Sequence, residues 1–450
     1  MARRRSKARS SRSPSAPSAA KGSRSSASSS AITPRQVALL AAMYLAYVIN
    51  VCSSSAVEIA VPLLAADDGV ALGMAELSSG MAAGQVATVL GKVVAGPVVD
   101  GRGASAAFPE ALLAMGAALA LGVLAIRAEI YPAALLCFCL IKAAKASVWP
   151  AMAMAAKSNF QPALLSRCWS ILTTSSRAGA VSGGFVLSPL VAYGWSGPPL
   201  AVAAGLCAMF LLLTSQLRGA ASSTATSSAA KDGGGGDGFG DALRVLAADR
   251  QLCLLFATMA FLLPVMENSG LLPTFVARAT GLPVGSAAQI ASAFPLGMVV
   301  ATFGGGLVFD SLTPTLRIAF LLVVTGGGSV AVAILAQFGG AGSASGPVVA
   351  ALLFCVGAGI GPALYIKPTI FIMENVDERL AGKMLALLDM PGYLLSALSF
   401  KLQPVLLELG GWTLFFRCLA VLVALAAVCV SYQQHLQNGE ASARPKRKAA

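Results

Sequence analysis

The sequence predicts an all-α membrane protein with twelve transmembrane helices, arranged as two six-helix pseudo-repeat bundles. Composition is the first reason, because only 11% of the 450 residues are charged while 56% are hydrophobic. A soluble domain carries about 25% charged residues, so this chain could not cover its apolar side chains in water. Apolar runs long enough to span a bilayer also recur along the chain, and short motifs repeat between its halves. The composition excludes an ordinary cytosolic enzyme, a disordered protein and a typical nucleic-acid-binding protein.

A spanning helix needs about 20 apolar residues, and Gly, Pro or charged residues separate twelve such runs in this chain. The first six predicted spans are 36–64, 74–99, 107–126, 131–156, 166–193 and 197–217. The second six are 248–275, 285–309, 316–338, 346–373, 382–407 and 411–432. They form an N-terminal bundle over 36–217 and a C-terminal bundle over 248–432. The intervening residues 218–247 include a Gly/Ser-rich stretch that cannot bury a core, which predicts a flexible cytosolic linker.

Two basic tails flank the bundles and account for most of the net charge of +13. Residues 1–35 hold nine Lys or Arg and no acid, and residues 433–450 hold four against one acid. Subtracting +9 and +3 leaves +1 for residues 36–432, so the charge gives little support for a nucleic-acid partner. The Arg-, Ser- and Ala-rich composition of 1–35 fits either a disordered basic tail that touches anionic lipid or an organellar transit peptide.

Basic residues between the spans predict the orientation in the membrane. Ten Lys or Arg residues near span ends fall on the side of the N-terminus, and Arg127 and Arg278 fall on the other. Cytosolic loops carry an excess of Lys and Arg, so both termini are expected in the cytosol, or on the stromal or matrix side of an organelle. The plasma membrane and an organelle envelope both fit this topology.

An internal repeat relates the two halves. Three pairs of residues match at offsets of 210, 216 and 218, close to half the length of the core. The pairs are Asp100 with Asp310, Phe138 with Phe354 and Pro150 with Pro368. Duplicated halves with a substrate site between them at mid-membrane are the architecture of many secondary transporters.

The loop after the second span resembles a signature of the major facilitator superfamily of transporters. Gly96 is followed by Asp100 four residues later, and then by Arg102. A glycine lets two helices approach closely, and the Asp can bridge to a helix N-terminus. In that family the cluster latches one conformation. A second copy, Gly306 with Asp310, completes the predicted conformational latch.

Within that superfamily the chain is most similar to the organophosphate:phosphate antiporters, the carriers of glycerol phosphate and hexose phosphate. The similar segments are Gly91-Lys92, Lys145-Ala-Ser-Val-Trp149-Pro150, Gly361-Pro362, Ala381-Gly382, Gly392-Tyr393 and Gly411-Trp412. The superfamily resemblance covers residues 36–432, and the antiporter-like motifs cover parts of it. Those antiporters clamp phosphate with one Arg in helix one and another in helix seven. Here helix one has no Arg or Lys between Tyr44 and Pro62, so the clamp does not carry over.

Charged residues inside the spans are the candidate site, because a charge at mid-bilayer costs about 2.5–3.5 kcal/mol and is expected to face water or another charge. The resemblance implies that helices one, four, seven and ten line a central cavity. The predicted substrate-binding residues are Lys142, Lys145, Lys367, Arg177 and Asn50. The predicted coupling or ion-pair residues are Glu58, Glu267 and Asp389. Lys92 and Lys401 lie nearer helix ends and are expected to snorkel to the membrane surface.

Two interpretations of these charges stay open. Lysines bind phosphate or carboxylate as point charges, so they could form a cationic pocket while Glu58 and Glu267 carry a coupling proton. Alternatively the charges only pair with one another, Glu58 with Lys142 or Lys145, and Glu267 with Lys367.

The sequence therefore favours a secondary active transporter of a small organic anion or organophosphate, working by exchange or proton coupling. A facilitator for a neutral or cationic metabolite and a non-transporting sensor or scaffold are the alternatives. We expect a monomer whose partners are a small solute and the lipid bilayer, with no cofactor and no metal. An enzyme is not expected, since no nucleophile–base pair stands out.

Overall fold

The computed structural model describes residues 32–65, 73–221, 238–340, 342, 344–376 and 378–443. These residues form twelve long helices in two sets of six, which confirms the predicted all-α fold. The N-terminal set is α1 (Pro34–Ala65), α2 (Met74–Arg102), α3 (Ala104–Arg127), α4 (Tyr131–Asn159), α5 (Pro162–Leu187) and α6 (Gly197–Ala221). The C-terminal set is α7 (Arg250–Thr280), α8 (284–311), α9 (Pro314–Leu335), α10 (346–375), α11 (378–409) and α12 (412–443).

Length and hydropathy support membrane spans across both sets. Nine helical segments of the described chain are long and apolar enough to cross a membrane. One of these segments runs through both α11 and α12, and α2 and α5 are not among the nine. α2 and α5 carry more polar residues, and each packs against the opposite bundle, where apolar side chains are not required.

Three of the C-terminal helices are interrupted, α8 by a single turn residue at Ser292. α7 changes to a 3-10 turn at Asn268–Leu271, four residues after Pro264. α10 contains a π-helical turn at Pro362–Ile366. α11 and α12 meet at Gly410 and Gly411, and Gly411 has a φ of 61°, which favours glycine. Broken helices at membrane depth often line ligand sites in transporters.

Each bundle has a helix crossing at which a glycine touches one of the two phenylalanines matched in the sequence repeat. At the α2–α4 crossing, a Cβ on Gly84 would collide with the ring of Phe138. At the α8–α10 crossing, a Cβ on Gly297 would collide with the backbone carbonyl of Phe354. Each of the two phenylalanines matched in the sequence thus lies where its helix crosses a glycine, Phe138 through its ring and Phe354 through its backbone.

The chain between and beyond the bundles is helical where the structure describes it. A short linker helix, Gly238–Ala248, lies within the predicted linker, and its Leu246 is buried. α12 continues to Ala443, past the predicted end at 432. Of the predicted tail at 1–35 only residues 32–35 are described, and of the predicted linker at 218–247 only residues 218–221 and 238–247 are described, which are helical. We use "linker face" for the side that holds the start of α1 and the ends of α6 and α12, and "far face" for the opposite side.

The molecule has an apolar exterior as well as an apolar core in each bundle. Large apolar side chains point outward from the bundles, among them Leu211 at 67% exposure and Val323 at 70%. A contiguous apolar surface of this kind is costly in water. It fits a protein whose solvent around the helices is lipid.

Candidate functional site

A polar pocket lies between the two bundles, where α1, α2 and α4 face the break in α7. The pocket contains about 430 Å³ of space not filled by atoms, part of which is open to the solvent. Its charged lining residues are Glu58, Lys142, Lys145 and Glu267. Its other lining residues are Ser53, Ser54, Val57, Met81, Gln85, Phe138 and Ile141. Four of the eight predicted substrate and coupling residues thus come together here.

Glu267 is the pocket carboxylate that makes both a hydrogen bond and an ion pair. Its Oε2 accepts a hydrogen bond of 2.8 Å from Nε2 of Gln85 and lies 3.7 Å from Nζ of Lys142. Only 17% of the Glu267 side chain and 15% of the Lys142 side chain are exposed. Both contacts cross from the N-terminal bundle to α7, so this carboxylate joins the two bundles. The break in α7 begins at the next residue, Asn268.

Lys145 and Glu58 carry the other two charges of the pocket. Nζ of Lys145 donates a hydrogen bond to Oγ of Ser54 on α1. The carboxylate of Glu58 has neither a hydrogen bond nor an ion pair among the described residues. Gly270 in the α7 break leaves room for Glu58, because a Cβ there would lie 3.0 Å from its Cγ. Two ammonium groups and two carboxylates therefore share one pocket, and their formal charges cancel.

Aromatic residues lie on the linker-face side of the pocket. The rings of Tyr47 and Trp149 pack edge to face at 5.1 Å. The guanidinium of Arg177 lies 3.5 Å from the ring centroid of Tyr365, a favourable cation–π contact. Because Arg177 is on α5 and Tyr365 is in the π-helical turn of α10, this contact also joins the two bundles.

Asp389 takes part in an ion pair that the sequence did not predict. Nζ of Lys92 on α2 lies 2.6 Å from Oδ2 of Asp389 on α11, and also 5.3 Å from the ring centroid of Tyr393. The expectation that Lys92 snorkels to the surface is wrong, since only 18% of its side chain is exposed. Lys401 is exposed but donates to Ser79 on α2 at 3.1 Å.

Lys367 lies apart from the pocket. It is 4% exposed, and its Nζ donates to Oε1 of Gln434 at 2.6 Å and to Oε1 of Gln437 near the end of α12. These partners lie on the linker face, so the structure does not bring Lys367 together with Lys142 and Lys145. The alternative pair of Glu267 with Lys367 is likewise not formed. A count of residues along α10 could have indicated this, because Lys367 comes 21 residues after the start of the helix.

Asn50 lies in α1 one turn before Ser54 and is fully buried. Neither Nδ2 nor Oδ1 of its side chain has a hydrogen-bond partner among the described residues. An unsatisfied buried amide costs about 1–3 kcal/mol. The pocket lining does not include Asn50 in this conformation.

The predicted latch is only partly visible. Gly96 and Asp100 lie in α2, and Gly306 and Asp310 lie in α8, but the surroundings of these four residues are not among the described features. Arg102 is exposed, and its Nη1 lies 2.9 Å from Oε2 of Glu110.

Contacts between the bundles also close the far face. Oγ of Ser78 on α2 donates to Oε1 of Gln403 on α11 at 2.6 Å, and both residues are buried. Oγ of Ser188 donates to the backbone oxygen of Gly285 at 2.9 Å. A Cβ on Gly184 of α5 would collide with Ser292 of α8, so these two helices touch.

The sequence interpretation did not assign roles to Gln85 and Ser54, which line the pocket, or to Tyr365, which contacts Arg177. Gln85 is on α2, which is not one of the four helices that the resemblance places around the cavity. Its polarity within an apolar stretch was the available signal, since a buried amide needs a partner.

Comparisons with known proteins agree on the fold. A family model described as Major Facilitator Superfamily matches residues 43–400. No curated protein sequence matches the chain. The crystal structure of the nucleoside transporter NupG is 15% identical with a TM-score of 0.67, over 88% of this chain and 98% of that one. A D-xylose-proton symporter is 12% identical with a TM-score of 0.66, over 88% and 96%. The peptide transporter POT in complex with sulfate is 13% identical with a TM-score of 0.66, over 87% and 93%. At these identities the likeness concerns the fold.

Proposed function

The chain belongs to the Major Facilitator Superfamily and is a multi-pass membrane transporter; on this premise we propose that it carries a small polar solute without net charge. The observation that carries the proposal is the charge balance of the central pocket, where Glu58 and Glu267 offset Lys142 and Lys145. An anion entering a pocket of zero net charge gains no overall attraction to offset its own desolvation. The organophosphate substrate favoured by the sequence therefore has weaker support than a neutral or zwitterionic one.

The proposed mechanism is a rocking motion of residues 36–217 against residues 248–432 around the pocket. In the conformation described here, the far face is closed by contacts such as Ser78 with Gln403 and Ser188 with Gly285. Opening of the far face would break these contacts. By the Lys and Arg bias of the loops, we place the linker face and both termini in the cytosol or an equivalent compartment.

We further propose that Glu267 couples transport to protons. As a carboxylate it accepts the hydrogen bond from Gln85 and attracts Lys142, and both partners belong to the opposite bundle. Protonation would remove the negative charge and weaken the attraction to Lys142, so the bundles could separate more easily. A proton gained on one side of the membrane would then be released when the ion pair forms again.

An organic anion is the second candidate substrate. The observation that favours it is Lys145, whose ammonium group has the uncharged hydroxyl of Ser54 as its hydrogen-bond partner. This candidate requires that Glu58 be protonated or displaced when the anion binds.

Uptake by the purified full-length chain in proteoliposomes tests the proposal. The panel is uridine, D-xylose, dialanine, glucose 6-phosphate and succinate, each with and without an inward proton gradient. We expect uptake of at least one of the first three and stimulation by the gradient. Glu267→Gln should abolish the stimulation while solute exchange persists, and Lys157→Gln, on an exposed position of α4, should leave both unchanged. Uptake restricted to glucose 6-phosphate or succinate would support the anion instead.

A further inference from the structure

Glu58 and Lys145 are the two charged lining residues without a direct ion pair among the described residues, and they indicate the chemical class of the solute. We propose that the solute is a zwitterion, whose cationic group binds the Glu58 carboxylate and whose anionic group binds the Lys145 ammonium. The inference rests on the proposed function, since it assumes that the pocket is the transport site. It narrows the proposed substrate from any uncharged polar solute to one that carries a positive and a negative group.

Glu58 provides the position for the cationic group. Its carboxylate lines the pocket and has no hydrogen bond or ion pair among the described residues. Glu267, by contrast, is held by Gln85 and Lys142. The ammonium groups of Lys142 and Lys145 attract Glu58 from beyond ion-pair distance. Because a buried charge without a direct ion pair is expensive, Glu58 gains more than Glu267 from an ammonium group in the solute.

Lys145 provides the position for the anionic group. Its hydrogen bond goes to Ser54, a neutral hydroxyl, and the described carboxylates lie beyond ion-pair distance from it. Lys142 on the same helix face already pairs with Glu267. A solute carboxylate at Lys145 would form a charge-assisted hydrogen bond without breaking an existing ion pair.

The remaining lining disfavours a sugar-like solute, which needs many hydrogen bonds. Four of the other lining residues are apolar, namely Val57, Met81, Phe138 and Ile141. The polar ones already make hydrogen bonds: Ser53 donates to the backbone oxygen of Asn50, Ser54 accepts from Lys145, and Nε2 of Gln85 donates to Glu267. Oε1 of Gln85 is the buried lining acceptor that has no partner among the described residues. A hydroxylated neutral solute would leave both Glu58 and Lys145 without a direct ion pair.

A set of ω-amino acids and their single-charge analogues tests the inference. Glycine, β-alanine, 4-aminobutyrate and 5-aminovalerate span increasing distances between the charges. Butyrate, n-butylamine and 1,4-butanediol match 4-aminobutyrate in size but lack one or both charges. We would measure the thermal stabilisation of the purified full-length protein by each compound, and the uptake of the radiolabelled zwitterions into proteoliposomes.

The expected result is stabilisation by at least one zwitterion and about tenfold weaker binding of the matched single-charge and neutral compounds, as expected for the loss of one charge-assisted interaction. Glu58→Gln and Lys145→Gln should each weaken zwitterion binding about tenfold or more. Glu58→Gln should remove the advantage of 4-aminobutyrate over butyrate, and Lys145→Gln its advantage over butylamine. Lys157→Gln and Glu408→Gln, at exposed positions of α4 and α11, serve as matched controls.

Two results would overturn the inference and are distinct from failure of the proposed function. Transport of xylose or uridine without binding of any zwitterion would leave the transporter in place and refute the zwitterion. Equal binding of the zwitterion by wild type and by both pocket variants would refute Glu58 and Lys145 as its partners. If no polar solute bound or moved, the proposed function itself would fail. If a single variant does not fold, the exchange Glu58→Lys with Lys145→Glu provides a second test. It keeps both charges in the pocket, so the exchanged protein should still bind the zwitterion.

Discussion

At the scale of single residues, the sequence predicted which charges are buried in the membrane but not which of them pair. The cost of placing ions in a membrane identified Glu58, Lys142, Lys145 and Glu267 as a group, and the structure brings these four together. Which charge pairs with which depends on rotamers and on the depth of each helix, which a sequence does not contain. Lys367 is the example, because it binds the end of α12 rather than the pocket.

The Lys142–Glu267 pair gives the prediction that belongs to this scale. Lys142→Met should lower the free energy of unfolding by about 1–3 kcal/mol, less than the 3–5 kcal/mol for a fully buried pair because both side chains keep some exposure. Lys142→Met combined with Glu267→Met should recover most of that loss, since neither charge of this pair is then left without the other. The measurement is a double-mutant cycle of thermal stability in detergent. Additive losses in the double variant would contradict the pairing.

At the scale of helices, glycines decide how closely two spans approach. The sequence predicted twelve spans from apolar runs, but it could not predict the breaks in α7 and α10 or the helical segment at Gly238–Ala248. These features depend on the packing of neighbouring helices. The matched residues Phe138 and Phe354 both lie beside a glycine of another helix, although the first contact is made by a ring and the second by a backbone carbonyl.

Gly91 tests the α2–α4 crossing. A Cβ at this position would lie 2.5 Å from the backbone oxygen of Ala143, so Gly91→Ala forces the helices apart. We expect a loss of about 1–3 kcal/mol of stability, as for other overpacked positions, measured as a lower melting temperature. Gly304→Ala is the matched control, because its Cβ would meet no atom within 4 Å. Equal stability of the two variants would contradict close packing at Gly91.

The Lys92–Asp389 pair tests how α2 and α11 are joined. Because the two charges are 2.6 Å apart on opposite bundles, Asp389→Asn should weaken a contact that holds this conformation and change the rate of solute exchange by about tenfold or more. Exchanging the charges, Lys92→Asp with Asp389→Lys, should restore most of the rate. If the exchanged variant transports solute no faster than Asp389→Asn, an ion pair between these two positions does not control the rate.

At the scale of the whole molecule, composition and hydrophobic periodicity were enough for the fold, because the bilayer constrains every span in the same way. The substrate was not predictable at this scale. The net charge of +13 comes from the tails and says nothing about the pocket, whereas the charge balance that favours a neutral or zwitterionic solute appears only when α1, α4 and α7 are brought together.

The most direct test of the account is the accessibility of the pocket from both sides of the membrane. In a chain whose nine native cysteines are replaced, Ser54→Cys would be labelled with a membrane-impermeant thiol reagent added from one side and then from the other. Alternating access predicts labelling from both sides and protection by a transported solute, since the pocket would open in turn to each face. Labelling from one side only, unaffected by any transported solute, would contradict a transport site between the two bundles.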